Sequence, residues 1–376
     1  MTPAATHAAV LDLDGVLAAL GIGPHPAQAR VPYVVIRGHD GPRWLIPQAS
    51  ALACTILQEW RPYTLRAGLM WRTVTAAYRL GALSLMPGAV RAQLPADASG
   101  QLLRRAGWHG DADLPVVLVG NDSDTRKLLV FLRDRSRGQD VLVKVALKPG
   151  ARASICNEAR TLESLDPLLR APRLLRADHD AAITVQEYLP GRLGDRRCKP
   201  QYVALLLRMA EGAAAIPLGE QGRRLAERLR VRVDDDARAA PRLDAALALL
   251  DRQAVVPAVL VHGDFAPWNI RELPDGGCTL IDWEMAGRGG LALHDLCHFY
   301  FMQTRVFAPH GRFYGALLAE GAWRSYMRGL GLTDSLLKPL AAAYLLEMLT
   351  RYREGRETDA ARFCLRQLDL LLAFAG

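Results

Sequence analysis

Asp264, Asn269 and Asp282 carry oxygens whose order and spacing suit phosphoryl transfer. They lie in Val261-His262-Gly263-Asp264-Phe265-Ala266-Pro267-Trp268-Asn269-Ile270 and Thr279-Leu280-Ile281-Asp282-Trp283-Glu284. A carboxylate at Asp264 would orient an acceptor hydroxyl and take its proton as the bond to phosphorus forms. Asn269 and Asp282 are hard oxygen ligands of the kind magnesium prefers on a nucleotide triphosphate. His262 belongs to the same catalytic loop, more as a hydrogen-bonding buttress than as a proton carrier. Lys144 sits in an otherwise apolar run, Val141 to Ala146, and must be compensated if buried. Phosphates and a carboxylate from the next helix would do this, with Glu158 the natural partner and Glu163 the alternative. The chain has only five lysines against 42 arginines. A Lys at 144 therefore suggests a site that wants a compact point charge rather than a planar fork.

Short buried strands must hold these groups. Val259-Leu260-Val261 and Leu280-Ile281 read as such strands, and Pro274-Asp275-Gly276-Gly277 as a turn, so 270–281 reads as a hairpin. Upstream, Val116 to Val119, Lys127 to Leu132 and Val141 to Ala146 predict a three-stranded antiparallel sheet. A helix follows from Ser154 to Leu165 with Ser154 as N-cap, then a strand from Ile183 to Tyr188. From Tyr202 onward the pattern is mostly helical. Sheet first and helices after gives an α+β class. The turn from Gly120 to Thr125 is the expected phosphate cover, with Ser123 and Thr125 offering hydroxyls. It holds one glycine, and Asp122 and Asp124 would repel phosphate unless they turn outward.

The motifs resemble the aminoglycoside phosphotransferase and choline kinase family, the small-molecule branch of the protein-kinase-like fold, over Leu114 to Glu354. The family's His-x-Asp-x-x-x-x-Asn is met by His262, Asp264 and Asn269, its Ile-Asp-Trp-Glu by residues 281–284, and its His-Asp-Leu by residues 294–296. The resemblance implies a bilobal α+β fold: a small antiparallel sheet lobe over 111–190 and a helical lobe over 191–376, with an extra basic segment at 1–110. It further implies ATP and Mg2+, a hinge at Glu187 to Leu189 whose backbone meets adenine, and Asp295 bracing the catalytic loop. The acceptor would be a hydroxyl of a sugar, amino sugar or amino alcohol. Glu284 would reach the acceptor or a second metal, or serve as a cap. Glu347, Glu354 and Glu357 would suit a cationic acceptor and the arginines an anionic one. Two rivals stand beside this reading: a pseudokinase-like binding module, and a kinase for a glycan or lipid-linked acceptor. Removal of 1–110 is expected to spare activity on a soluble acceptor.

The formal charge is +8, and residues 1–110 carry +5 of it through ten arginines and five acids. That charge suits peripheral contact of this segment with an anionic surface, an acidic partner or a phosphorylated substrate, while a solvated surface with arginine stems over apolar area is the default reading. No nucleic-acid partner and no membrane span is expected. Six scattered cysteines fit free thiols in a reducing cytoplasm. Met1 to Ala4 lacks the basic start of a signal peptide, and 1–110 opens with a Gly/Pro-rich stretch, Gly21 to Pro26. Leu11-Asp12-Leu13-Asp14-Gly15-Val16 imitates a phosphatase nucleophile but reads as a turn, since 1–110 holds no Lys. His294 and His298 have the spacing of a helical zinc pair but lack a third ligand, and the stripe from Leu340 to Leu349 reads as core.

Overall fold

The computed structural model describes residues 11–23, 29–60, 62–230, 240–251 and 253–374. Met1 to Ala4 and part of the Gly21 to Pro26 stretch lie outside the described residues. The chain forms two compact units, residues 1–165 with 171–192, and residues 166–170 with 193–376.

The first unit is built on one antiparallel sheet of eight strands in the order β3-β1-β2-β4-β5-β6-β8-β7. Its elements in sequence are α1 (Leu13–Ala19), β1 (Arg30–Gly38), β2 (Gly41–Pro47), α2 (Ala51–Glu59), α3 (Leu65–Arg79), β3 (Ala89–Pro95) and α4 (Ala98–Arg105). They continue with β4 (Val116–Val119), β5 (Lys127–Asp134), β6 (Gln139–Ala146), α5 (Pro149–Ser164), β7 (Leu174–Asp178) and β8 (Ile183–Glu187). Strand residues alternate between two cores, as the period of two demands. Tyr33, Val35, Leu45, Val117 and Val119 pack with Val16 and Leu20 of α1 and Leu102 and Leu103 of α4. Val34, Trp44, Ile46, Val116 and Leu118 pack with α2 and α3 on the other face.

Three features differ from the reading of the sequence or lie beyond it. Strands β1 to β3 extend the expected sheet, because β2 pairs with β4 at Trp44↔Leu118 and Leu45↔Val117. Helix α5 starts at Pro149, not Ser154; a proline suits the first helical position, where its missing N–H costs nothing, and Ser154 is buried inside the helix. Asp12 caps α1, its Oδ1 accepting from the Gly15 N–H at 2.8 Å, which explains the Asp pair as a helix start.

Strand β9 (Arg192–Leu193) takes its first residue from the first unit and its second from the second unit, which holds α6 (Pro200–Met209), β10 (Ala214–Pro217), α7 (Leu218–Arg230), α8 (Ala240–Ala248) and β11 (Val255–Val261). After these come β12 (Ile270–Glu272), β13 (Cys278–Leu280), β14 (Gly287–Leu291), α9 (His294–Phe307), α10 (Phe313–Ala319), α11 (Ala322–Gly329), α12 (Leu337–Glu354) and α13 (Thr358–Leu372). The expected hairpin is β12–β13, with Ile270 opposite Leu280. Strand β11 runs between β10 and β14. Helix α12 is buried over most of its length, and α7, α8, α9 and α13 pack on it. All six cysteines are free thiols. Among the described residues no helix is long and apolar enough to cross a membrane.

Candidate active site

The loop after β11 is fixed by its backbone. Gly263 has φ +77°, and a Cβ there would meet the Met285 carbonyl oxygen at 2.3 Å, so only glycine fits. The Asp295 carboxylate, in the first turn of α9, accepts from the His262 N–H at 2.7 Å and the Gly263 N–H at 2.9 Å. Arg351 of α12 donates to the Gly263 carbonyl at 3.2 Å. The His262 ring is fully buried against Trp283, with ring centroids 4.8 Å apart. Its Nδ1 accepts from the Asp264 N–H at 3.3 Å, and its Nε2 lies 3.0 Å from the Ile281 carbonyl, to which it donates as the Nε2–H tautomer. Both ring nitrogens are thus engaged by backbone groups of the loop and the hairpin.

Asp264 remains partly exposed while both its carboxylate oxygens are engaged. Oδ2 accepts from Asn269 Nδ2 at 2.8 Å, and the same Nδ2 donates to the Asp264 carbonyl at 2.9 Å. Oδ1 lies 3.0 Å from Nε2 of His298, whose Nδ1 is 3.1 Å from the Tyr344 hydroxyl. With His298 neutral, Tyr344 donates to Nδ1 and Nε2–H donates to Asp264. Burial lowers the His298 pKa, and the opposing pull of Asp264 does not overcome it. One turn earlier, His294 stacks on His298 and contacts Glu347 at 3.2 Å. Burial works against its charge as well, but Glu347 and Asp295 together outweigh burial and raise its pKa. Burial likewise works against charge on Glu347, and His294 with Arg228 and Arg351 outweighs it to lower the carboxyl's pKa. The two imidazoles therefore differ, one neutral and one leaning toward charge.

The hairpin delivers Asp282 next to Asn269. The Ile281 N–H donates to the Asn269 carbonyl at 2.9 Å, and Asp282 follows in a left-handed conformation with φ 66° and ψ 57°. Such a backbone costs a non-glycine residue about 1–2 kcal/mol. It is held by the turn Trp283–Met285, whose Trp283 is fully buried and donates to the Leu280 carbonyl at 3.0 Å. Asp282 and Glu284 are half-buried.

In the first unit, Lys144 and Glu158 are both buried, with Nζ 2.7 Å from the carboxylate, and Gln186 donates to Glu158 at 3.3 Å. Glu163, the alternative partner, is exposed. In the 120–125 turn, Asp122 is drawn to Lys148 at 2.7 Å, which holds its carboxyl below the usual range. The Asp122 N–H donates to Asp40 at 3.0 Å, and buried Arg126 stands 3.3 Å from Asp40. Ser123 and Thr125 hydroxyls lie 3.3 Å apart. A Cβ on Gly150 would meet the Asp124 carbonyl oxygen at 2.6 Å, so α5 starts tight against this turn. At the end of β8, Glu187 pairs with Val141, donates its N–H to the Arg173 carbonyl at 2.9 Å and binds Arg173 through its side chain at 3.1 Å. Leu189 lies just beyond the strand, half-buried.

The expected residues thus gather in two groups, one in each unit. His262, Asp264, Asn269 and Asp282 are in the second; Lys144, Glu158, Ser123, Thr125, Glu187 and Leu189 are in the first. Sequence reasoning missed three residues around the loop: His298, Tyr344 and Arg351. The available signal was a Tyr, a Glu and an Arg inside the apolar stripe of α12, polar groups that a buried helix must partner.

No curated protein matches the chain by sequence. Among solved structures, aminoglycoside phosphotransferase APH(4)-Ia is similar over 74 % of this chain and 99 % of its own, at 13 % identity and TM-score 0.51. A thermostable mutant of it, in ternary complex with AMP-PNP and hygromycin B, matches over 73 % of this chain and 97 % of its own, at 13 % identity and TM-score 0.50. The macrolide 2'-phosphotransferase of Brachybacterium faecium matches over 73 % of this chain and 97 % of its own, at 18 % identity and TM-score 0.50. These likenesses establish the fold, the α+β protein-kinase-like class. Residues 117–332, more than half of the sequence and spanning the catalytic-loop motif, match the phosphotransferase enzyme family, and the chain belongs to it.

Proposed function

We propose that this phosphotransferase moves the γ-phosphoryl group of ATP to a hydroxyl of a sugar, amino sugar or amino alcohol. The observation that carries the reading is the Asp264 carboxylate: partly exposed, on a loop braced by Asp295, and aimed by Asn269 and His298. Such a carboxylate can accept the acceptor's proton without first being oriented. Lys144, held by Glu158, would bind phosphate oxygens, with the 120–125 turn covering them and the backbone around Glu187 and Leu189 meeting the base. A protein of similar fold is seen in complex with AMP-PNP and hygromycin B, which favours ATP and a small-molecule acceptor.

Asn269 and Asp282 would hold Mg2+. The donor types fit: Asn269 spends its Nδ2 on Asp264, which leaves the amide oxygen for a cation, and the backbone bond from Ile281 to Asn269 ties the residue before Asp282 to the same loop. When bound, the ion neutralises charge on the phosphates. Of the two acids in the 120–125 turn, Asp122 has its own counter-charge in Lys148, which favours a turn that tolerates phosphate.

The test is a coupled ADP-release assay over a panel of hydroxyl acceptors, with Asp264→Asn and Asp282→Asn beside the wild type. Asp264→Asn should abolish transfer and keep ATP binding in calorimetry, while Asp282→Asn should weaken magnesium-dependent binding. Full activity in Asp264→Asn would remove Asp264 from its assigned role.

A further inference from the structure

We propose that α3 is a docking face for an anionic lipid surface. Residues 62–96 contain four arginines (Arg66, Arg72, Arg79, Arg91) and no acidic residue. The same stretch exposes Leu65, Leu69, Met70, Leu80 and Leu85 by 95, 69, 60, 82 and 76 %. Among the described residues, three other large apolar side chains with more than half their surface exposed, Leu168, Val255 and Val306, are scattered singly through the sequence. A soluble surface seldom concentrates apolar side chains in this way without a partner.

The inner face of α3 is already committed. Val74 and Tyr78 are buried in the core beneath the sheet, and the Tyr78 hydroxyl donates to the Ser50 carbonyl at 3.0 Å. The outer face carries Leu65, Leu69, Ala76 and, at the helix end, Leu80, which recur at helical spacing. At about 3.6 residues per turn, Arg66 falls on one flank of that row and Arg72 and Arg79 on the other. An apolar row between arginine flanks is the pattern of a helix lying in a membrane interface, with the arginine stems reaching up to phosphates.

A cleft of about 520 Å³ adjoins the Arg72 and Arg79 flank and is lined also by Trp60, Trp71, Leu57 and Thr75. Guanidinium pairs with phosphate, while Trp60 and Trp71 pack on Trp44 and shape the cleft from within. A second copy of the chain is the poorer occupant, because apposing the same face would set three arginines against three with no acid between them. This docking goes beyond the phosphotransfer reading and does not depend on it.

The experiment is co-sedimentation of the full chain with vesicles of phosphatidylcholine alone, or with about one-third phosphatidylglycerol. The anionic vesicles should bind at least about tenfold more tightly, and salt at about 0.5 M should remove most of that difference. Leu65→Asp with Leu69→Asp should abolish binding, and since both side chains face solvent the fold should survive, as read by circular dichroism and Tm. Arg66→Gln or Arg72→Gln should each weaken binding roughly fivefold. Failure to bind either vesicle, equal binding to both, or undiminished binding by the double variant would overturn the proposal. So would a dimer in ultracentrifugation that Leu69→Asp dissociates while vesicles stay unbound, which would give the face to a second copy.

Discussion

Nε2 of His298 lies 3.0 Å from Oδ1 of Asp264, so each oxygen of that carboxylate has its own donor, His298 on one and Asn269 on the other. Two donors fix both the position and the rotation of the group, which one alone would not. Replacing His298 with Ala should let Asp264 swing and lower kcat on the order of 10–100-fold. The KM for ATP should stay near wild type. Steady-state kinetics on both substrates separates these outcomes; a loss confined to ATP KM would contradict the positioning role.

His298 and His294 should shape the pH dependence of stability in opposite directions. The pKa of His298 is lowered from the ordinary 6.5, so the unfolded chain takes that proton first. Its contribution is complete above about 6.5 and is lost as pH falls through the folded value. The pKa of His294 is raised, so its contribution is present below about 6.5 and is lost as pH rises through the folded value. Thermal melts of His298→Gln should show a shallower acid-side decline than wild type, and those of His294→Gln a shallower decline on the other side.

Lys144 and Glu158 form a buried pair, and removing one charge leaves the other uncompensated. Glu158→Ala should therefore destabilise the chain by about 3–5 kcal/mol. A Lys144→Met, Glu158→Leu double variant should recover most of that loss while remaining inactive. Urea melts beside the activity assay distinguish a folding role from a substrate role. If the double variant were as unstable as Glu158→Ala, the pair's packing rather than its charge would matter.

Asp295→Ala should cost about 3 kcal/mol, because two buried N–H groups lose a charged acceptor at once. Calorimetry should record a drop in Tm of roughly 5–10 °C. Activity should fall further than stability explains, since the loop that carries Asp264 loses its anchor.

Much of the site was legible because its residues are local in sequence. The strand, the loop and the hairpin that order Asp264, Asn269 and Asp282 all lie within 255–284, and their period and turn signals are visible without tertiary context. Glu158 was legible for a similar reason: one helix follows one strand, and a buried Lys needs an acid. His298 and Tyr344 were not, because their partners come from 34 and 46 residues away through helix packing. The start of α5 was missed because a serine looks like a cap, although Pro149 had already begun the helix. Strand β14 was hidden by Gly287, Gly289 and Gly290; a Cβ at Gly290 would strike Val261 at 2.5 Å, so the glycine there is required by the neighbouring strand.

The pairing of β2 with β4 changes what a deletion experiment can mean. Val116, Val117, Leu118 and Val119 are buried on both faces, and β2 occupies one of their two edges. Removal of 1–110 would strip that edge of its hydrogen-bonding neighbour and bare two apolar faces of the sheet. A strand left in that state recruits other chains rather than water. The shortened protein should therefore come out of expression as aggregate, and its inactivity would say nothing about which acceptor the intact enzyme uses.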